Sequence, residues 1–552
     1  MRRVRKQQGV VFVLAMVAML VLIIAGGLTL QFSLESERQA SIAQAYEEAL
    51  TMADAGVNAA QAYLAAQTTA PAAGTTTYYP GPGQYNTVSL GNGKYRVVIT
   101  TRTNVYNTWS GCAYVATAYG ASNRAVAGAS TGKLVTATGA SQFITRKVVA
   151  TLYPQSFSLY GYFEDTGLSN NWWVSGISRF DGPFHTNGKM QIDWTKTATQ
   201  TIFSDMASSS STTVTWGSTG APQTAADYNK IFSGGQSAMQ LGANSIPFPG
   251  NASVQQAAAW GSTSGFPAAS EAYINTTDVT QGGIYINSGG QNCTLAFSVD
   301  TSGRQVLTVS HYIKNAQSQW VQKTTLLTID LVNNTTTRST KLSTDTNFST
   351  PVTYTGVPNG VLYCTGAITG LSGTLADSYV ANNLIVRPNA WTIATDFSST
   401  GKANVTLTNS LQYQHPPDFT KPITDVVNLT APVLGVLGYQ IHVATSCPTN
   451  MTMHGVYMAS SPSTSGSILV DDIAAQHLRG NLNILGGTIV KTAAILGQYN
   501  TSTKTTQYGY NEHYSYDPRM AKGPLRAFPQ TNNYDVATWQ YQGLYDSTDK
   551  IF

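Results

Sequence analysis

Three groups of residues have types and spacings that could do chemistry. The most specific is Gly182-Pro183-Phe184-His185-Thr186-Asn187-Gly188. An imidazole and a carboxamide two residues apart can hold a ligand or a metal ion. No second histidine or carboxylate lies at ligand spacing, since Asp181 and Asp193 bracket the run only loosely. Asn-Gly is also a strong turn signal, and Thr and Asn side chains satisfy the backbone of turns. A structural turn is therefore expected. The second group is Asp471-Asp472 with His477 and Arg479. Paired carboxylates act as acid and base in glycosidases. Adjacent residues on a strand face opposite ways, however, and no other glycosidase signature accompanies the pair. In the third group, Tyr508, Tyr510, Tyr514, Tyr516 and Phe528 interleave with His513, Arg519, Lys522 and Arg526. Aromatic faces stack bases and cations follow phosphates. Tyr510, Tyr514, Arg519, Lys522 and Arg526 are thus candidate contacts to single-stranded DNA, with Trp172, Trp173, Arg179 and Lys189 a smaller set of the same kind. The competing expectation for 508–528 is a cap on the β-structure, with Asp517 and Arg519 holding a turn.

No Walker loop, nucleophile elbow, HExxH or EF-hand occurs in the 552 residues. Neither enzymatic activity nor a cofactor is expected. The four cysteines, Cys112, Cys293, Cys364 and Cys447, form no CxxC pair, so a zinc site is not expected. Outside the cytoplasm they allow two disulfides in three connectivities, with buried free thiols as the alternative. The net charge of +4 is misleading, because Arg2, Arg3, Arg5 and Lys6 supply it. Without those four, the remaining 27 basic residues equal the 27 acidic ones. Global attraction to a polyanion is not implied.

The elements that must position these groups begin with an apolar run from Val10 to Leu30, whose only polar side chain is Thr29. About 20 such residues span a bilayer, whereas a secretory signal has an apolar stretch of about 7–15. Four positive charges precede the run, while Glu35, Glu37 and Arg38 follow it. The basic side stays in the cytoplasm, which exports the body. From Gln31 to Gln67 there is no proline and one glycine, Gly56, and alanine is abundant. Ile42, Tyr46, Leu50, Ala53, Val57, Ala60 and Leu64 recur at spacings of three and four. One helix over 10–67 is expected, roughly 85 Å long, with Gly26-Gly27 as a weak point. Its first half suits lipid or a bundle of like helices, and its second suits packing onto a small sheet.

The leader Met1 to Gly9, the apolar run from Val10 and the stretch Ala53-Asp54-Ala55-Gly56-Val57 resemble type IV pilin-like proteins with a PilX-type N-terminus. The resemblance implies cleavage after Gly9 by a prepilin peptidase and methylation of the new N-terminus at Val10. Most pilins carry Glu at the fifth position after the cut, where it pairs with the terminal amine of a neighbouring subunit. Here that position is Leu14. A carboxylate in lipid is costly unless paired. Its absence implies a specialised subunit at or near the filament tip. An uncut single-pass signal anchor is the alternative.

Tyr95–Thr103 reads as a strand, and 133–152 as two strands around a Gly-Ala-Ser-Gln turn. With the helix they would make a small α+β pilin-like module over 68–155, after the proline-rich stretch at 71–82. From about Ser156 the texture changes to short apolar runs between Gly, Asn, Asp and Ser turns. Examples are 282–286, 360–373, 383–388, 403–414, 437–445, 453–459 and 480–490. Charged residues are 11% of the chain, against about 25% ordinarily. A large all-β domain over 156–530 is expected, as a parallel β-helix or solenoid, with a β-sandwich or several small β-domains as the alternative. The tail 531–552 is a candidate strand of the first sheet.

Gly182-Pro183-Phe184-His185-Thr186-Asn187-Gly188 is similar to the GPxHTNG signature of an uncharacterised domain found behind PilX-type N-termini. Tyr516-Asp517-Pro518-Arg519, followed by Pro524 and Pro529, is similar to its YDPR ending. The likeness spans about four-fifths of the chain. It implies a minor pilin-like subunit of a type IV pilus, resembling competence-linked minor pilins with a solenoid on a pilin module. Its partners would be other pilin subunits, the inner-membrane assembly machinery, prepilin peptidase, the bilayer and, for uptake, DNA. The alternatives are a pseudopilin-like secretion component and a membrane-tethered enzyme acting on polysaccharide.

Overall fold

The computed structural model describes residues 2–67, 75–81, 86–103, 112–123, 133–135, 141–166, 174–175, 179–196, 201–462, 465–493, 496–500 and 505–542. The chain opens with a single 64-residue helix, Arg2–Ala65. It runs unbroken through Gly26-Gly27, where the sequence suggested a weak point. Two glycines cost about 1 kcal/mol each relative to alanine, too little to open so long a cooperative ladder. Every large apolar side chain from Val10 to Leu34 is more than half exposed. Among the described residues this is the one helix long and apolar enough to cross a membrane.

The chain divides into two compact units. The first combines the chain up to Thr103 with Cys112–Pro154 and the segment from Asn533 onward; the second runs Gln155–Asn532. In the first unit, the order across the sheet is Thr76–Tyr79, Gly93–Thr103, Cys112–Ser122, Ser141–Ser156, Gln530–Tyr541. Cys112–Ser122 is the central strand and pairs antiparallel with both neighbours. The sequence reading missed it, because its alternation is carried by alanine and tyrosine rather than by β-branched residues.

The C-terminal half of the helix lies on this sheet. Its fully buried residues are Ala45, Ala49, Ala53, Val57, Ala60 and Leu64, while Ile42, Tyr46 and Leu50 flank them. Small residues prevail because the helix backbone rests almost directly on the strand. A Cβ added at Gly120 would sit 2.1 Å from the Ala49 carbonyl oxygen and 2.3 Å from the Ala53 nitrogen. Overpacking of such a contact costs about 1–3 kcal/mol. Gly120→Val should therefore lower the thermal midpoint of the detergent-solubilised full chain by several degrees. An unchanged midpoint would show that the helix has room to lift away.

The second unit is built on parallel ladders. One continuous ladder is ordered Met239–Leu241, Ala207–Ser209, Phe184–Thr186, Tyr162–Glu164, Thr488 to Val490, Val456 to Ala459, Val433–Gly438, Ala390–Thr395, Val361–Cys364, Ile284–Asn287. Chain order differs from spatial order. Strands 162–241 grow one way, the chain then restarts at Ile284, and later strands return until 488–490 docks beside 162–164. A second parallel ladder joins Cys293–Val299, Ile368–Leu375, Val405–Tyr413 and Ile441–Val443. From Val433–Gly438 to Ile284–Asn287 the first ladder is largely apolar on both faces. Ile284, Ile286, Leu362 and Ile393 enter one core, while Tyr285, Tyr363, Ala394 and Leu437 enter another. Burial on both faces is why these strands read as unbroken apolar runs.

Between Val299 and Val361 the chain leaves the ladders. Cys293–Val299, Gln305–Lys314, Trp320–Asp330, Thr335–Leu342 and Val352–Thr355 form an antiparallel meander. Two short helices, Ala225–Ile231 and Ser253–Trp260, also lie in a region the sequence reading left without helices. Seven or eight residues are too few to show a helical period.

Candidate functional site

The two terminal motifs of the body meet at the seam where 488–490 docks on 162–164. Gly182 adopts φ +80, and a Cβ there would lie 2.3 Å from the Tyr516 ring. Glycine is thus required twice over, for the left-handed backbone and for the aromatic ring against it. Tyr516 donates its hydroxyl to the Leu159 carbonyl at 2.8 Å. Pro183 supplies a carbonyl to the Gly161 amide at 2.9 Å.

His185 is buried and stacks on Phe163, with ring centroids 5.1 Å apart. Its Nε2 lies 3.0 Å from Asn187 Oδ1 and its Nδ1 2.8 Å from Ser208 Oγ. With Asn187 Oδ1 accepting, Nε2 carries the proton and Nδ1 accepts. Burial pushes the imidazole pKa down, against the Asn187 bond, so the neutral ring is favoured. Both nitrogens are occupied, which leaves no lone pair for a metal ion. Asn187 also donates to Asp165 Oδ1 at 2.6 Å and to the Ile246 carbonyl at 2.7 Å, and it accepts from the Ile246 amide at 2.8 Å. Asp165 in turn takes the Lys491 ammonium at 2.5 Å. Thr186 Oγ1 accepts from the Gly188 amide at 3.1 Å. The motif knots the seam together from inside.

Asp517 and Arg519 form a buried ion pair. Arg519 Nη2 lies 2.6 Å from Asp517 Oδ2, and Nε lies 2.9 Å from Oδ1. The same guanidinium donates to the carbonyls of Asn428, Ala431 and Pro432 at 2.8, 2.7 and 3.1 Å. Asp517 caps the short Pro518–Lys522 turn. The following stretch lies across the first ladder, with Leu525 and Phe528 in its outer core.

These contacts correct the DNA-contact set read from the sequence. Tyr510 is buried, donating to the Pro448 carbonyl and accepting from Arg479. Arg519 is consumed by Asp517 and three carbonyls. Tyr514 is half-buried and donates to Glu512 at 2.7 Å. Arg526 is half-buried, and its pKa is lowered by burial. Lys522 alone of the five is exposed. A stacking platform needs open ring faces beside open cations, and this segment spends both on packing. Trp172 and Trp173 lie outside the described residues.

Asp471 and Asp472 sit in the turn after Ile468–Val470, rather than on opposite faces of a strand. Asp471 pairs with His442 at 2.6 Å, and Asp472 with Arg479 at 2.7 Å. Arg479 also reaches the Thr445 and Cys447 carbonyls, both at 2.9 Å. The two carboxylates therefore face separate partners, an imidazole and a guanidinium.

Two features escaped the sequence reading. Glu164 is fully buried beside the seam. Aromatic and basic side chains that are exposed or half-buried lie instead on the antiparallel insertion, where Lys314 sits 5.2 Å from the Trp320 ring centroid and the half-buried Lys341 5.0 Å from that of Phe348. The β-branched and aromatic content of 305–313 is the signal that could have located this sheet; its alternation is one of burial, with Gln305, Leu307, Val309 and His311 inward.

No family model matches the chain, and no curated protein does either. The likeness read from the leader and the two motifs therefore rests on those residues alone. Among solved structures, one match is the crystal structure of competence-associated pilin ComZ from Thermus thermophilus. It is 10% identical and covers 90% of this chain and 98% of that one, with a TM-score of 0.26. So loose a likeness carries no argument for function.

Proposed function

We propose that this chain is a minor pilin-like subunit of a type IV filament, with a structural and display role rather than an enzymatic one. The observation that carries the reading is the division of labour along one helix. Its first part presents apolar side chains all round, with no partner among the described residues, and its second part is docked on a sheet by small residues. Such a helix needs lipid before assembly and like helices afterwards. The basic residues before Gly9 favour a cytoplasmic N-terminus. The parallel ladders of the second unit are read as coils of a solenoid, carried as cargo at or near the tip. Leu14 supports a specialised position, because it cannot make the amine pairing of bulk subunits.

Leader processing is the decisive test. The mature protein recovered from cells should begin at Val10, shortened by residues 1–9, and carry one added methyl group. Gly9→Leu should leave the full-length chain in the membrane and absent from sheared filaments. Recovery of exported wild-type protein with Met1 still in place would reject the reading in favour of a plain signal anchor.

A further inference from the structure

We infer that Cys293 and Cys364 form a disulfide that joins successive rungs of the body at the base of the antiparallel insertion. Cys293 opens the strand Cys293–Val299, and Cys364 closes Val361–Cys364. Cys364 pairs in register with Ile286, and Cys293 with Ile368, so the two residues face each other across a corner between neighbouring rungs. Their sulfurs lie 3.0 Å apart in the apolar core, and both residues are buried. About 1 Å of movement brings such a pair to bonding distance. Cys447 is not a competitor, since its thiol donates to the Leu407 carbonyl at 3.1 Å.

The position gives the bond a purpose. The chain leaves the parallel ladders after Val299 and rejoins them at Val361. A link between positions 71 residues apart closes the loop that contains the whole insertion. Closing a long loop removes much of the freedom of the unfolded chain. The insertion's two ends would then be held in register even while its exposed strands are pulled or unzipped.

The oxidation is a two-step thiol–disulfide exchange with a disulfide oxidant, such as an exported dithiol oxidase in its disulfide form. One cysteine thiolate attacks the oxidant and releases one of its sulfurs as a thiol. The second cysteine thiolate then displaces the mixed disulfide. Two thiol protons are lost, two cysteines are oxidised, and the oxidant's disulfide is reduced to two thiols. In the folded state the bond with Cys364, together with burial, pushes the Cys293 thiol well up. Exchange should accordingly occur before the body closes.

The oxidising setting rests on the exported placement proposed above, whereas the pairing rests on this geometry. Full-length protein should be taken from cells, denatured without reductant, alkylated, and digested for mass spectrometry. A parallel sample should be reduced, then refolded with oxidised glutathione. The expected result in both is a peptide pair joining Cys293 to Cys364, 2 Da lighter than the two thiol peptides, which is replaced by alkylated peptides after reduction. A link found only in the refolded sample supports the pairing and counts against export. Full alkylation of both residues in both samples overturns the pairing. Export would then be judged separately, by labelling of Lys522 with a membrane-impermeant amine reagent on spheroplasts.

Discussion

Arg519→Ala should destabilise the body by about 3–5 kcal/mol, the usual cost of breaking a buried ion pair from one side. The loss is large because a single side chain serves many partners. Removing it strands the Asp517 carboxylate in the interior and leaves the carbonyls of Asn428, Ala431 and Pro432 without this donor. Arg519→Lys should recover only a fraction, since an ammonium is a point charge and cannot match the fork that spans Asp517 and three carbonyls. The double variant Asp517→Asn/Arg519→Ala should be less unstable than Arg519→Ala alone, because it removes the uncompensated charge. Thermal or urea unfolding of the full chain in detergent measures all three. If Arg519→Ala unfolds like the wild type, the ion pair is not what fastens the stretch carrying Leu525 and Phe528 over the ladder. The same variant would also weaken any ligand binding by loosening the fold, so a gel shift on it would not report a direct contact.

Glu164→Gln should stabilise the body at neutral and alkaline pH and flatten its pH dependence. Burial lifts the Glu164 carboxyl from 4.5 to about 8, with Asp165 adding to the rise. The Ala493 amide favours the carboxylate, but among the described residues neither oxygen has a partner at full hydrogen-bond geometry. The folded-state pKa lies above the unfolded one, so folding takes up a proton between about 4.5 and about 8. Stability therefore falls as pH rises through that window. Below it the carboxyl is protonated in both states and contributes no pH dependence. Above it the full penalty applies, at about 1.4 kcal/mol per pKa unit, or on the order of 5 kcal/mol. Glutamine keeps the shape and removes the titration. Denaturant midpoints of both proteins, measured from pH 4 to pH 9, should converge at the acid end and separate steadily above it. A difference that stays constant with pH would mean that Glu164 is not the titrating group. Glu512, raised by burial to about 7, is present in both proteins and cancels in the comparison.

The sequence features that proved legible are local ones. The N-terminal helix follows from an apolar run over 10–30, interrupted only by Thr29, and an alanine-rich stretch without proline. Tyr95–Thr103 follows from its β-branched alternation, and the strand-rich texture of the body follows from short apolar runs between turn residues. Gly182 and the Asn187-Gly188 pair signal turn chemistry, and their backbone bends where they stand. Cys112–Ser122 was illegible because alanine marks helix as readily as a strand crowded by a helix. The antiparallel insertion was hidden within a body read as uniform.

The candidate contacts failed for a different reason. Tyr510, Arg519 and Arg526 have the right types and spacing for an open aromatic and basic surface. Whether a side chain is open depends on what comes back to cover it, and residues 428–432, nearly ninety positions earlier, cover Arg519.

What the sequence determined by itself is whatever a short window contains: the apolar length of the helix, the charge imbalance across it and the turn chemistry of the glycines. These depend on neighbours within a few residues, where propensity and hydrophobicity act directly. Only the tertiary structure decided that 488–490 docks on 162–164, that Gly182 lies under Tyr516, that Glu164 loses its water and that two of four cysteines meet. Each of these arises from pairing between distant segments, where burial and partner choice are properties of the closed core and not of any local stretch.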